Sequence, residues 1–563
     1  MFFKLMKQYK IGGKFLKILK NIYTDNQMFV KVDGGLTRNF VTTTGVKQGC
    51  IFSPLLFNLY VNNLPEVYDN DCHPVFVNSK PVHCLMWADD CVVLSTSENG
   101  LQRSIDRTVG YFAELGLQVN TKKTKVMIFN GNGFGPAKFP KLKFYINGSV
   151  LENTDSYTYL GLVFKPSGSF TAAANELLIK ANRAYFSMSN IFYENKTMKV
   201  DRAIQLFTSL VCPIAQYASE FWSILNIPIK SFNNKNDLMR AWETFTPETL
   251  NQRFCRLILS VQKKTSRLAV LGELGQYPLL VNSFIQTIKY KWSLYNTSHC
   301  DSLVRDALSE MSSYADSGHD CWLSRVRKLE NLFNIPTLRN FIKKEAAGNI
   351  IKKRVKSVFD RFWMDEVNAD KIVNGVNSNK LRFYTTLKSS FSKEPYLDLV
   401  LSRNHRSFLT RLRCSAHHLE IEKLRYSKPY VPPSNRICKF CTSGQIGDEV
   451  HFLMNCDIFN VKRECFLGKM NSIVAGFKNM SADNKIKTIL CPKSSAAVKT
   501  INKFIRIMFL ARDNINEGLG FNTYPTMPAN IVPFCDDYAN FSDCDEWEVS
   551  ITEQNIESDF END

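Results

Sequence analysis

The stretch that decides the fold is VHCLMWADDCVVL, residues 82–94. Two apolar runs flank the adjacent carboxylates Asp89 and Asp90, a pattern that predicts a β-hairpin whose tight turn holds the acids at the surface of a sheet. Adjacent carboxylates on a rigid turn can hold Mg²⁺, which prefers carboxylate oxygens and substrate phosphates. An acidic pair in a turn is more often simply solvated, so the neighbouring segments must decide between the two interpretations.

The composition predicts a globular protein in a reducing compartment. The chain has 563 residues, of which 44% are hydrophobic and 22% charged, enough for several domains. No apolar run reaches the length of a membrane span, and the 16 cysteines accompany no secretory signal. We therefore expect an intracellular protein of the nucleus and cytoplasm that is not secreted and has no membrane partner.

The charge distribution favours a polyanionic partner. Lys and Arg number 71 against 53 Asp and Glu, a net charge of +18. Residues 536–563 contain eleven acids and no Lys or Arg, which predicts a disordered acidic tail and leaves the rest of the chain more basic still. A basic body suits nucleic acid because binding releases counterions; a solvated cationic surface is the alternative.

Three further segments accompany the acidic pair. GVKQGCIFSPLLF, residues 45–57, reads as a glycine-bracketed loop leading into a helix, with Ser53 as N-cap and Pro54 at the first helical position. Such a loop lets a phosphate approach the backbone and the helix N-terminus. GLQVNTKKTKVMIF, residues 116–129, predicts a turn, a basic cluster and a strand, and YLG, residues 159–161, lies between strand-like segments.

In this order, residues 45–57, 87–90, 116–129 and 159–161 resemble motifs B, C, D and E of reverse transcriptases. The third residue of GVKQG is basic. In this respect the motif resembles that of non-LTR (LINE-type) retrotransposon polymerases more than that of group II intron maturases. Residues 211–217, 272–275 and 411–417 resemble the thumb and carboxy-terminal regions of these elements, so the resemblance reaches about residue 465. It implies an α+β fold, with a partial right-hand palm followed by a mainly helical thumb and carboxy-terminal region.

The resemblance also implies an activity, RNA-directed DNA synthesis by a nucleotidyltransferase that uses RNA, DNA and dNTPs. Asp89 would be the strict Mg²⁺ ligand and Asp90 its helper, and Lys123 would assist the leaving pyrophosphate unless it is a solvated or phosphate-contacting lysine. The primer grip would comprise Tyr159, Leu160 and Gly161, although a buried strand pair would look the same. The template and nucleotide surface would comprise Gly45, Lys47, Gln48, Gly49, Ser53 and Pro54.

One part of the family pattern has no counterpart in the sequence, the motif A aspartate that holds the other side of the metal site. The first acid is Asp25, in a turn composition, and Asp33 has hairpin-turn neighbours. We therefore expect a weakened Mg²⁺ site in a truncated chain that lacks the fingers and motif A and is inactive by itself. The alternative is a non-catalytic nucleic-acid-binding remnant.

A second constellation predicts zinc. Cys438, Cys441, His451 and Cys456 form C-x2-C-x9-H-x4-C, spacing that suits one tetrahedral Zn²⁺ and resembles the carboxy-terminal knuckle of LINE-type proteins. Ordinary buried cysteines are the alternative. Basic residues surround the knuckle in sequence and make nucleic-acid binding its natural role, while a purely structural zinc is an alternative of comparable weight. They are Arg411, Arg413, Lys423, Arg425 and Arg436.

These predictions define six regions. They are a partial palm at 1–168, thumb-like helices at 169–226, a helical connector at 227–400, a basic helix with the knuckle at 401–470, a helical carboxy-terminal segment at 471–534 and the acidic tail at 535–563.

Overall fold

The computed structural model describes residues 6, 8–9, 11–24, 26–42, 45–47, 49–129, 142–195, 197–296, 302–336, 343–369, 372–373, 376–377, 379–399 and 402–516. Asp25, Gln48 and the predicted acidic tail lie outside these residues. The fold is mostly helical with small sheets. It divides into two compact units, the first comprising Met1–Glu176, Ile224–Asn226 and Tyr290–Lys328, and the second comprising Leu177–Ser223, Ile227–Lys289 and Leu329–Asp563.

The strands are short and concentrated before residue 165. They are β1 Asn26–Met28, β2 Lys31–Val32, β3 Gly35–Leu36, β4 Phe40–Thr42, β5 Val75–Val77, β6 Lys80–Val82, β7 Cys84–Trp87, β8 Asp90–Val93, β9 Lys125–Val126, β10 Tyr145–Ile146, β11 Ser149–Val150, β12 Glu152–Asn153, β13 Tyr157–Tyr159, β14 Leu162–Phe164, β15 Ile372–Val373 and β16 Val376–Asn377.

Helices make up most of the remaining structure. They are α1 Gly13–Tyr23, α2 Ser53–Val61, α3 Glu98–Glu114, α4 Thr171–Glu194, α5 Val200–Leu210, α6 Cys212–Ala215, α7 Ser219–Leu225, α8 Lys235–Arg240, α9 Glu248–Leu259, α10 Arg267–Leu274, α11 Leu279–Asn296, α12 Ser302–Asp316, α13 Trp322–Leu332, α14 Lys344–Asn368, α15 Tyr384–Leu387, α16 Tyr396–Leu399, α17 Asn404–Arg413, α18 Glu420–Lys423, α19 Asn460–Ile473, α20 Ala482–Leu490 and α21 Ser495–Asn516. None of the helices among the described residues is both long and apolar enough to span a bilayer.

The first unit is built from two-stranded sheets packed on helices. Antiparallel pairs join β1 to β4, β2 to β3, β5 to β6, β7 to β8, β10 to β11 and β13 to β14, whereas β9 and β12 are parallel. Helix α3 supports this arrangement through its buried face, which includes Ile105 and Thr108. Ser97 caps the helix by accepting a hydrogen bond from the backbone N–H of Gly100, as its residue type predicts.

The second unit is a helical body with buried aromatic contacts. Phe207 and Phe254 stack with ring centroids 4.1 Å apart, and Phe466 and Phe504 stack at 3.9 Å. Helix α17 packs against α21, which also contacts α19. This helical content agrees with the mainly helical region predicted beyond residue 169.

Candidate functional site

The predicted acidic hairpin is present. Strands β7 and β8 pair in the register Trp87↔Asp90 and Met86↔Cys91, which leaves Ala88 and Asp89 as the two turn residues. Ala88 has φ 55°, a left-handed conformation that is uncommon for a residue other than glycine. Asp89 and Asp90 are both exposed, so the turn presents two carboxylates to solvent.

The inner face of this hairpin fixes the position of the turn. Cys84, Met86 and Cys91 pack against a buried cluster of Leu64, Tyr68 and Cys72. The hydroxyl groups of Tyr68 and Thr108 are 2.8 Å apart, which ties the cluster to α3. Alternation along the strand therefore buries one face and leaves the acids on a supported turn.

The strand-like segments predicted on either side of residues 159–161 form a second hairpin. Tyr159 pairs with Leu162, and the turn residues Leu160 and Gly161 have φ 47° and 82°. Partial burial, and then the negative charge of Asp90, raise the pKa of Tyr159. The hairpin is exposed or half-buried throughout, and the primer-grip role of Tyr159, Leu160 and Gly161 stays a prediction.

The glycine loop differs from its prediction in one detail. Ser53 was expected to be the N-cap and Pro54 the first helical residue, but α2 begins at Ser53 and its N-cap is Phe52. The hydroxyl group of Ser53 instead donates to the carbonyl of Lys47 at 2.6 Å and lies 3.0 Å from the hydroxyl of Tyr23. A side chain committed to these groups cannot cap the helix.

The loop glycines adopt left-handed conformations, with φ 87° at Gly45 and 81° at Gly49. An ideal Cβ on either glycine would meet no atom within 4 Å, so conformation rather than space favours glycine at both positions. Gln48 lies outside the described residues. Among the residues that are described, no hydrogen bond joins this loop to Asp89 or Asp90.

The basic cluster around Lys123 lies in the turn that leads into β9, and only Lys125 lies on the parallel strand pair. Lys125 forms an ion pair with Glu152 on the neighbouring strand, and the backbone N–H of Lys123 donates to the side-chain oxygen of Asn120 at 3.2 Å. The side chain of Lys123 is exposed. In the described part of the chain no hydrogen bond or ion pair connects it with Asp89 or Asp90, so its role stays a prediction.

The metal-binding capacity of the acidic turn rests on two carboxylates. Within the ranges that the structure describes, no third Asp, Glu, His or Cys joins Asp89 and Asp90 to form a metal-ligand group. Asp33 lies in the turn between β2 and β3, as expected from its neighbours. Two exposed carboxylates are chemically suited to Mg²⁺, but they supply fewer protein oxygens than a three-carboxylate site.

Comparison with known proteins assigns the family of this region. Residues 3–164 match the family described as reverse transcriptase (RNA-dependent DNA polymerase). This region is a reverse transcriptase domain.

Relatives of the reverse transcriptase domain occur in mobile elements. The chain is 28% identical over 174 residues to the Pol polyprotein of the Drosophila melanogaster retrotransposable element R2DM, covering 29% of this chain and 16% of that protein. It is 22% identical over 232 residues to the RNA-directed DNA polymerase of the D. melanogaster mobile element jockey, covering 40% and 24%. A putative transposon-derived protein of Caenorhabditis elegans is 30% identical over 155 residues, covering 26% and 51%.

The chain therefore spans only part of each of these relatives, about half of the nematode protein and a quarter or less of the other two. The matches confirm the prediction of a reverse transcriptase domain of the non-LTR retrotransposon kind.

Far along the sequence from the reverse transcriptase domain, the four predicted zinc ligands come together. One donor atom from each of Cys438, Cys441, His451 and Cys456 lies within 4.8 Å of all the others. The sulfur of Cys441 is 3.3 Å from Nε2 of His451. A hydrogen bond with Cys456 lowers the pKa of the Cys438 thiol. Three sulfur donors and one imidazole fit a structural Zn²⁺ site.

A residue outside the predicted set orients the histidine. Nδ1 of His451 lies 3.0 Å from the side-chain oxygen of Gln445, an arrangement in which Nδ1–H donates and Nε2 keeps its lone pair for a metal. The backbone N–H of Cys438 donates to the carbonyl of Gln445 at 2.9 Å, so the same residue closes the loop between the ligand pairs. The spacing of cysteines and histidine gave no signal for Gln445.

The knuckle is fixed to the helical body by buried charged groups. Glu449 lies 3.0 Å from Nε2 of His417 and 2.8 Å from Arg382. Phe440 lies between the first two cysteines in sequence, and the guanidinium group of Arg512 on α21 lies 4.1 Å from its ring centroid. The same guanidinium group lies 2.6 Å from Glu420. One side of the knuckle therefore packs against the helical body, while Lys439 and residues 442–445 stay exposed.

The sequence-based interpretation of the basic residues around the knuckle is largely wrong. Arg413 and Arg436 are buried at 0% and 1% exposure. Arg413 pairs with Glu273, and Arg436 donates to the carbonyls of Ile421 and Val431. The other two arginines also have partners inside the protein. Arg411 donates to the carbonyl of Ser260, and Arg425 pairs with Glu422. Only Lys423 of the predicted set is exposed. The four arginines instead pair with carboxylates or donate to backbone carbonyls of the protein.

Proposed function

We propose that this chain takes part in RNA-directed DNA synthesis, using an RNA template, a DNA primer and dNTPs. The support is the position of the two carboxylates, since Asp89 and Asp90 are exposed on a supported turn within a reverse transcriptase domain. Partial burial, and then the negative charge of Asp90, raise the pKa of Tyr159 on the second hairpin.

In the proposed reaction the primer 3′-hydroxyl forms a bond to the α-phosphorus of the nucleotide, and pyrophosphate leaves. Asp89 and Asp90 are the residues that would hold Mg²⁺. The bound ion supplies charge stabilisation for the attacking and leaving oxygens. Tyr159, Leu160 and Gly161 would position the primer end beside the carboxylates.

The loop and the lysine complete the proposed roles. The backbone of Gly45 and Gly49, with Lys47, would contact the template and nucleotide. The exposed ammonium of Lys123 would neutralise charge on the departing pyrophosphate, an interaction that a flexible lysine can make once substrate is bound.

A primer-extension assay with the purified chain tests this function. Incorporation of dNTPs on an RNA template with Mg²⁺ or Mn²⁺ is expected to disappear in Asp89→Ala. Asp33→Ala is the matched control, because Asp33 is also an exposed turn aspartate. Equal incorporation by wild type and Asp89→Ala would disprove the assignment.

The same assay decides the prediction that the chain is inactive by itself. A metal site with two carboxylates from the described residues holds its ion less firmly than one with three, which favours weak activity. Absence of incorporation, combined with salt-dependent binding of RNA or DNA, would favour the alternative of a non-catalytic nucleic-acid-binding protein.

That alternative draws on a separate observation. The chain carries a net charge of +18, and the Cys438 knuckle is built into the second unit, independently of the acidic turn. Nucleic-acid binding therefore does not require the polymerase reaction.

A further inference from the structure

The segment that leads into the knuckle, residues 423–439, is called here the knuckle arm. It contains five cationic residues, Lys423, Arg425, Lys428, Arg436 and Lys439, and no Asp or Glu occurs between residues 423 and 447. A stretch with only positive charge is complementary to a phosphate backbone.

The cations of the knuckle arm divide into two groups. Arg425 and Arg436 are used internally, Arg425 by Glu422 and Arg436 by backbone carbonyls. Lys423, Lys428 and Lys439 have exposed side chains. The lysines are therefore the groups of the arm that can reach a phosphate.

Two tyrosines on the knuckle arm are exposed to an extent that folding does not explain. Tyr426 is 71% exposed, the highest value of any aromatic side chain in the described part of the chain, and Tyr430 is 55% exposed. The guanidinium of Arg436 lies 5.8 Å from the ring centroid of Tyr430. Exposed rings interleaved with lysines are typical of surfaces that stack unpaired bases.

The backbone of the knuckle arm is held in place on both sides of the tyrosines. The hydroxyl of Ser427 donates to the carbonyls of Leu424 and Pro429, at 3.0 and 3.1 Å. Arg436 ties the far side to the carbonyl of Ile421 at 2.8 Å. A surface ordered before binding loses less conformational entropy when a ligand arrives.

We propose that the knuckle arm binds single-stranded RNA, with bases stacked on Tyr426 and Tyr430 and phosphates neutralised by Lys428 and Lys439. The two rings are four residues apart, a separation of at most about 14 Å along an extended chain, which a short stretch of single strand can bridge. Duplex bases are already stacked on one another and leave these rings without a partner.

Exposed polar groups on the same part of the chain favour RNA over DNA. Asn435 and Thr442 are exposed, and amide and hydroxyl groups can hydrogen-bond a ribose 2′-hydroxyl. The inference rests on the RNA partner of the proposed function, but it concerns the second unit and needs neither Asp89 nor nucleotide incorporation.

Fluorescence anisotropy with the full chain and a labelled single-stranded RNA, in the absence of primer and dNTPs, tests the proposal. Each of Tyr426→Ala and Tyr430→Ala is expected to raise the dissociation constant about 5- to 100-fold. Tyr426→Trp should retain binding. Lys428→Gln and Lys439→Gln should each lower the salt dependence of binding by about 0.7 in the log–log slope.

The controls separate this proposal from misfolding and from the polymerase assignment. Tyr314→Ala, which removes a tyrosine that is 50% exposed on α12, should bind RNA as wild type does, and all variants should keep their zinc. Unchanged binding in the double variant Tyr426→Ala, Tyr430→Ala would overturn the proposal, as would preference for single-stranded DNA or for duplex. Failure of primer extension alone would leave the binding result standing.

Discussion

Arg413 and Glu273 form an ion pair in which both side chains are fully buried. Nη2 of Arg413 lies 2.9 Å from Oε1 of Glu273, and Nε donates to Oε2 at 3.1 Å. Arg413 also contacts Glu394 at 2.7 Å, and the hydroxyl of Tyr396 donates to Glu273 at 2.7 Å. The pair therefore joins α10 to α17 inside the second unit.

Removing one member of this pair is expected to be costly. Arg413→Met leaves Glu273 charged and buried, and we expect a loss of about 3–5 kcal/mol in the free energy of unfolding, measured by urea denaturation. The double variant Glu273→Leu, Arg413→Met removes both charges and should lose less than the single variant. A single variant within about 1 kcal/mol of wild type would contradict this prediction.

A second buried carboxylate predicts how stability depends on pH. Burial raises the pKa of Glu248 to about 7, despite hydrogen bonds from Asn251 and from the backbone N–H of Leu279. The side-chain NH2 of Gln252 donates a third hydrogen bond to the carboxyl group, at 3.3 Å from Oε1 of Glu248.

A carboxyl group with a raised pKa in the folded state stabilises the fold at low pH. This contribution is complete below the unfolded pKa of about 4.3 and is lost as pH rises to about 7. Relative to Glu248→Gln, wild type should therefore lose about 3 kcal/mol of unfolding free energy between these limits. Parallel pH profiles for the two proteins, obtained by urea denaturation, would show that Glu248 does not titrate in this range.

Close packing around a glycine gives a third prediction. A Cβ on Gly272 would collide with the ring of Trp363 and with the hydroxyl of Tyr384, and Trp363 is fully buried. Gly272→Ala should destabilise the second unit by about 1–3 kcal/mol or more. Gly468→Ala is the control, because this exposed glycine within α19 has open space around it and alanine should stabilise the helix by up to about 1 kcal/mol. Thermal melts that rank the two variants in the opposite order would refute the packing argument.

Local features of the sequence predicted local structure well. The apolar runs around Asp89 and Asp90 predicted the hairpin because alternation and turn chemistry act between neighbouring residues. The prediction that Ser53 is the N-cap was wrong by one residue. The hydroxyl of Ser53 donates to the carbonyl of Lys47 instead, a contact that residue type alone does not reveal. The four zinc ligands were predicted by spacing, and the structure brings them together.

Features that depend on distant residues could not be predicted. Arg413 was assigned to nucleic acid from its place near the knuckle in the sequence. Its actual partner, Glu273, lies 140 residues earlier in the chain, and no sequence pattern connects the two. The same holds for Arg436, whose acceptors are backbone carbonyls. The exposed side chains of Tyr426 and Tyr430 became candidates only once burial was known, since tyrosine is intermediate between the usually buried and the usually exposed residue types.

The hydrogen bond between Gln445 and His451 provides the final prediction. A group that holds Nδ1–H of a metal-binding histidine fixes the ring and its tautomer, and loss of such a group commonly weakens metal binding 10- to 100-fold. Gln445→Ala should therefore bind zinc more weakly by about this factor in competition with a chelator. Cys438→Ser combined with Cys441→Ser should lose one equivalent of zinc altogether, because two of the four donors are gone.

A cysteine outside the knuckle separates this effect from general loss of thiols. Cys321 donates to the carbonyl of Met311 and belongs to the first unit, so Cys321→Ser should keep the wild-type zinc content. Because Arg512 packs on Phe440 between the first two ligands, zinc removal should also lower the melting temperature of the second unit. Unchanged zinc content in the double cysteine variant would show that these residues do not bind the metal, whatever their proximity.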